Sequence, residues 1–197
     1  MSKLLAMMMR EKTGEMPLSI VGNPTITDGV VSGFSSSDYL QTNLGISNTT
    51  NIIEISLKFT IGTISEQGIF GSTNNFTKYG FNLNSDGTLR TGVRVSVDGT
   101  ESNKNLSSDL VLSANSTYYA VMSCDKNTHI LTLKISTDGQ NWTTKTSDIG
   151  SFDNFVGLGN NKIGYTQNGA FDGSIDIKSN KSFTIIDGTK YIFTIGA

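Results

Sequence analysis

The sequence predicts an all-β fold, with many short antiparallel strands closed into a sandwich or barrel after a short helical start. Three observations carry this. Several stretches alternate apolar and polar residues with the period of two of a half-buried strand. Turn dipeptides recur between them: Asp28-Gly29, Asp86-Gly87, Asp98-Gly99, Asp138-Gly139, Asn168-Gly169 and Asp187-Gly188. Each is favoured in hairpins because Gly, Asn and Asp accept positive φ. No helical pattern separates the strands, and no fixed-period repeat suggests a propeller.

The first element is the exception. Ser2 to Lys12 is rich in Leu, Ala, Met, Glu and Lys, all strong helix formers, and Gly14 and Pro17 end it. So short a helix is marginal alone. It either packs on its own sandwich or serves as an anchoring or oligomerising arm. In the second case residues 1–16 form the arm, with Leu4, Leu5 and Met8 as its apolar contacts and a β-sandwich at 17–197.

Strand patterning begins at Leu18. In Ile52 to Ile61, the residues Ile53, Ile55, Leu57, Phe59 and Ile61 point one way, and Glu54, Ser56, Lys58 and Thr60 the other. Leu89 to Val97 repeats the pattern, with Leu89, Val93, Val95 and Val97 inward. His129 to Ser136 does so again through Leu131, Leu133 and Ile135, while Tyr118 to Cys124 is more apolar and suits a central strand.

Composition bounds the rest. The chain has 197 residues, 36 % hydrophobic and 16 % charged, which suits one folded domain. Net charge is −2 with no cluster of Lys or Arg, which argues against a nucleic-acid surface. The single cysteine, Cys124, makes no internal disulfide and no zinc cluster. Leu4 to Met9 is the longest apolar run near the start. It falls far short of the roughly 20 residues of a membrane helix, and no cleavage site follows it. A viral structural protein or a bacterial cytoplasmic protein fits better than an exported one.

Three stretches then carry a family resemblance. Thr117 to Ser136 pairs an aromatic-rich strand with a second strand ending near Asp138-Gly139. Ile163-Gly164 followed by Phe171-Asp172-Gly173-Ser174-Ile175-Asp176 resembles the ending of laminin-G-like domains. Ile52 to Ile61 matches the strand these domains carry near their start. Across roughly Gly29 to Phe193 the chain resembles the concanavalin A-like lectin/glucanase superfamily. The resemblance implies a jelly roll of two antiparallel sheets, with Gly173 bending the chain and Phe171, Ile175 and Ile177 sealing the sandwich. The Asn/Ser/Thr/Gly-rich texture, the short arm and the missing signal peptide are similar to bacteriophage tail and head appendage variants.

Fold does not choose among lectins, glycosidases and adhesion modules. Glycosidases of this superfamily set carboxylates on alternate positions of one strand. Here Glu54 is followed by Ser56 and Lys58, so one carboxylate stands where two are needed. His129, the only histidine, has no nucleophile elbow near it, and Cys124 lies in an apolar strand. The expectation is no enzyme.

Binding is the stronger expectation. A sugar presents an apolar face and many hydroxyls, so its sites combine an aromatic platform with polar donors. Trp142, Tyr165, Tyr79 and Asn168 are the candidate glycan contacts, although Trp142 also suits packing across the Asp138-Gly139 turn. The resemblance implies calcium at a sandwich rim, where Asp153 with Asn154, or Asp172, would supply oxygen ligands. The expected role is a virion structural protein, a phage fibre, adhesin or decoration component. Its expected partners are other virion proteins through the arm, sister chains in a homo-oligomer such as a trimer, and a glycan or bacterial surface. The alternative is a bacterial carbohydrate-binding module, secreted or on the cell surface.

Overall fold

The computed structural model describes residues 12–42, 46–71, 79–156 and 161–195. Among the described residues there is no helix. The arm residues Leu4, Leu5 and Met8 lie outside the described residues.

In chain order the strands are β1 (Lys12–Val21), β2 (Thr25–Thr27), β3 (Val30–Ser32), β4 (Tyr39–Thr42), β5 (Ile52–Ile61), β6 (Gln67–Gly71), β7 (Tyr79–Leu83), β8 (Thr88–Val97), β9 (Thr100–Val111) and β10 (Thr117–Asp125). There follow β11 (Ile130–Ser136), β12 (Thr143–Asp148), β13 (Asn154–Phe155), β14 (Asn161–Ile163), β15 (Tyr165–Thr166), β16 (Gly169–Ala170), β17 (Gly173–Asp176), β18 (Phe183–Ile186) and β19 (Thr189–Ile195).

Apart from β15 and β16, which pair with each other in a separate two-stranded sheet, they form two layers. In the first, β12, β11, β10 and β5 pair antiparallel in that order. The far edge of β5 is shared: β18 pairs with Ile53 to Ser56 and β17 with Lys58 to Ile61. From there β18 leads to β19 and β1, and β17 to β3 and β2. The second layer runs β9, β8, β7, β6, β14, β4, with β13 extending beyond β7 along β8. The two layers meet at β1. Its residues Lys12–Leu18 run parallel to β19, and Leu18–Val21 pair antiparallel with β4. On the opposite side, Lys145 of β12 reaches Asp109 of β9.

The core lies between the layers. Ile53, Ile55, Leu57, Phe59 and Ile61 are all buried, as their alternation requires, and Phe171, Ile175 and Ile177 close over them. Each such side chain contributes about 1.5–3 kcal/mol relative to exposure. The central strand β10 also behaves as expected, between β5 and β11, with Tyr118, Ala120, Met122 and Cys124 inward. Burial pushes the Cys124 thiol up to about 12.

Three expectations need correction. The boundary between arm and sandwich at residue 16 falls inside β1, where Met16 is 5 % exposed and packs in the core. Lys12 to Met16 therefore belong to the sandwich. Helix propensity is a weak prior, and pairing with β19 overrides it. Pro17 is accommodated because that half of β1 has a neighbour on one side only. The β1–β19 pairing is parallel, so the sheets are not wholly antiparallel. Val97, expected inward, is 39 % exposed because it ends β8 at the Asp98-Gly99 turn.

Candidate functional site

The outer face of the first layer carries a groove. It has a volume of about 350 Å³ and is lined by Trp142, Val121, Phe183, Ser56, Asn180, Lys181 and Lys190. Register explains the grouping. Ser56 lies opposite Val121 on one side and Phe183 on the other, so three strands place these residues in one row. On β18 the usual polarity is inverted: Phe183 faces outward, while Thr184 is fully buried with its hydroxyl unpartnered. Local rules broken in this way concentrate at functional sites.

Trp142 is delivered by the hairpin that follows β11. Asp138 Oδ1 accepts backbone N–H bonds from Gln140 and Asn141, both 2.8 Å, and its Oδ2 accepts from Asn141 Nδ2 at 2.6 Å. These bonds hold the Asp138 carboxyl far below the usual carboxylate range. Gly139 adopts φ 73° and lies against the Tyr119 ring, and its carbonyl accepts a 3.3 Å bond from Lys181 Nζ. The turn thus folds back over the sheet, and the same fold brings Trp142 to the groove wall.

On the other wall, Lys190 Nζ sits 4.1 Å from the centre of the Phe183 ring. The floor is secured from below. The Ser56 hydroxyl donates to the Lys181 carbonyl, and Lys58 N–H donates to Ser182 Oγ at 3.0 Å. Beside the groove, Lys58 donates to Asp176 at 2.9 Å, and that bond holds its ammonium above the ordinary value. No carboxylate lines the groove itself. Glu54 lies one pair position away, where burial pushes its carboxyl up against the opposing pull of Lys134 and Lys190.

The remaining expected contacts lie elsewhere. Tyr79, expected on an exposed loop, is 0 % exposed. Its hydroxyl donates to the carbonyls of Arg94 (2.9 Å) and Val156 (3.2 Å), so it serves the core. Desolvation pushes its phenol well above the usual range. Tyr165 lies on the second layer, 6.0 Å from Tyr39 and stacked with it, with Lys162 Nζ 3.7 Å from the Tyr39 ring centre. Asn168 is in the same β15–β16 hairpin, where its N–H donates to Thr166 Oγ1 at 3.2 Å. The four residues therefore form no common platform.

Of the expected calcium ligands, Asp153 and Asn154 lie together at β13, and Asp172 lies apart, just before β17. Asp153 Oδ2 accepts from the Asp98 N–H at 2.7 Å and closes the β8–β9 turn. Asn154 pairs with β8. Asp172 is positioned through its backbone, its N–H donating to Gln67 Oε1 at 2.6 Å and its carbonyl accepting from the Gly62 N–H at 2.7 Å. Among the described residues no three of His, Cys, Asp and Glu gather. His129, at φ 59° in the β10–β11 turn, packs edge-on to Phe152.

Phe183, Lys181, Lys190 and Val121 were not singled out from sequence. They come from segments distant in the chain, and the one local signal was the inverted Phe183-Thr184 pattern.

No family profile and no curated protein matches the chain by sequence. Solved structures do match in fold. The enzymatically active domain of bacteriophage CBA120 tailspike protein 2 aligns at 11 % identity and TM-score 0.59, over 90 % of this chain and 29 % of that one. The LG1-3 region of the laminin alpha2 chain aligns at 14 % identity and TM-score 0.59, over 84 % and 32 %. The binding domain of botulinum neurotoxin serotype G aligns at 10 % identity and TM-score 0.54, over 89 % and 42 %. The chain spans less than half of each of these. The shared feature is the jelly-roll β-sandwich fold.

Proposed function

We propose that this chain is a non-catalytic, lectin-type module that binds glycan in the groove of the first layer. The observation that carries the reading is the groove's composition. Trp142 and Phe183 offer apolar surface to a sugar ring, while Asn180, Ser56 and the lysines offer polar partners for its hydroxyls. The missing carboxylate in the lining supports binding over glycoside hydrolysis, which needs two. We further assign the module to a virion, as a phage fibre, adhesin or decoration component that attaches through residues 1–11 to other virion proteins or to sister chains. The fold likeness to a phage tailspike domain and the Leu/Met-rich start support this. A bacterial carbohydrate-binding module outside any virion is the second reading, supported by the same groove.

The test is binding of the purified, labelled protein to an array of bacterial surface polysaccharides, with and without calcium. Saturable binding is expected, unaffected by calcium. Trp142→Ala should weaken it about tenfold or more, about 1.4 kcal/mol, with an unchanged melting temperature. No saturable binding at millimolar protein would overturn the reading.

A further inference from the structure

We infer that the groove selects an anionic glycan, one bearing carboxylate, phosphate or sulfate groups. This rests on the glycan-binding reading above and names its ligand class. The chain as a whole is acidic, at net charge −2, yet the groove is cationic. Its walls carry Lys181 and Lys190, and no carboxylate lines it. Lys134, exposed on β11, stands opposite Val121 and adds a third cation beside the groove.

The nearby anions offset this only in part. Asp138, in the Trp142 hairpin, spends its carboxylate on the N–H groups of Gln140 and Asn141 and on the Asn141 amide. Asp176 is committed to Lys58 at 2.9 Å. Glu54 is one half-buried carboxylate set against Lys134 and Lys190. Glu15 sits across the sheet, beyond Ile192 on the edge strand. Asp125 and Asp187 lie at the end of the face beside the β18–β19 turn, where they accept N–H bonds from Asn127 and from Asn51 and Ile52; Asp187 is the nearer to Lys190 and offsets part of its charge. Asp125 is four residues along β10 from Val121, roughly 13 Å of strand rise. That exceeds the screening length of about 8 Å at physiological ionic strength.

The lysines are also placed for the role. Lys190 is held above Phe183, and Lys181 is steadied by the Gly139 carbonyl at 3.3 Å. A sugar ring lying between Trp142 and Phe183 would bring an acidic substituent toward one or both ammonium groups. Lysine is a point charge without the planar fork of arginine, so the groove selects charge over the geometry of the acid group.

The experiment takes every glycan that binds on the array and retests it after carboxyl reduction, after removal of phosphate or sulfate esters, and at 50 and 500 mM salt. The protein is used whole, as wild type, Lys181→Gln/Lys190→Gln and Lys181→Arg/Lys190→Arg. The inference expects acidic hits that lose about tenfold or more in affinity when the acid group is removed. The chemical treatment that abolishes binding identifies which acid group is read. It also expects weakening at high salt, a similar loss in the Gln pair and recovery in the Arg pair. Neutral hits, or hits indifferent to acid removal and to the Gln pair, would overturn the inference and leave the glycan reading standing. Absence of any saturable binding would overturn both. Unchanged melting temperatures of the Gln and Arg pairs exclude unfolding as the cause.

Discussion

Gly173→Ala tests how β17 is seated on β5, and with it the position of Asp176 beside the groove. Gly173 opens β17 directly opposite Ile61. A Cβ there would collide with the backbone carbonyl oxygen of Thr60 and lie 2.7 Å from Phe171 Cζ. Backbone cannot rotate away as a flexible side chain can, so the cost belongs near the top of the overpacking range, about 3 kcal/mol. Alanine also narrows the unfolded ensemble, which returns about 0.4–1 kcal/mol. The net loss is about 2–2.5 kcal/mol, or roughly 4–10 °C in melting temperature for a chain of this size. Gly99→Ala is the matched control. Nothing stands within 4 Å of its Cβ, and its φ of +77° leaves only left-handed strain. That strain is about 1–2 kcal/mol before the same unfolded-state offset, so its net loss is about 0–1.6 kcal/mol, below that of Gly173→Ala. Urea unfolding followed by fluorescence measures both, and the slope with denaturant should be unchanged. A Gly173→Ala midpoint equal to that of Gly99→Ala would refute the close approach of β17 to β5.

Two further outcomes are expected. Burial holds the Glu54 carboxyl above its ordinary value of 4.5, so the folded state binds a proton the unfolded state has already released. Stability contributed by this group therefore falls as pH rises from about 4.5 through the raised value and stays reduced at neutral pH. Glu54→Gln should remove that slope and stabilise the protein more at pH 7 than at pH 4, as read by melting temperature across pH; equal shifts at both would contradict the assignment. Deleting residues 1–11, which stops short of β1, should abolish assembly or reduce oligomer size by light scattering while the melting temperature holds. Deletion through Met16 should destabilise the sandwich, because Met16 packs in the core.

How legible the protein was depends on which residues are considered. Ile53 to Ile61 revealed strand, face and core position together, because an alternating face is a local property that burial enforces. The family resemblance put Phe171, Ile175 and Ile177 in the core, and all three are buried. The hairpins at Asp28-Gly29, Asp98-Gly99 and Asp187-Gly188 were legible because both residues of each adopt positive φ, a constraint few side chains meet. Lys12 to Met16 misled, since Gly14 and Pro17 read as the end of a helical arm until a partner strand is present. Tyr79 misled as well, because a tyrosine beside asparagines reads as a surface residue. Its two hydroxyl bonds to carbonyls are long-range and leave no trace in the neighbouring sequence.

The candidate site divides in the same way. Trp142 was legible, since Ser136, Asp138 and Gly139 build its hairpin from adjacent residues. Phe183, Lys181 and Lys190 were not. Sequence alone was enough for the all-β class, for the alternating strands β5, β8, β10 and β11 and for the turns, because each follows from periodicity or backbone preference within a few residues. Tertiary structure alone decided that β18 presents Phe183 outward and Thr184 inward. It alone set β18 and β17 side by side along β5 and gathered lysines from three segments around one tryptophan. Pairing register fixes which face a residue joins, and register is set between strands far apart in the chain, where local pattern carries no information.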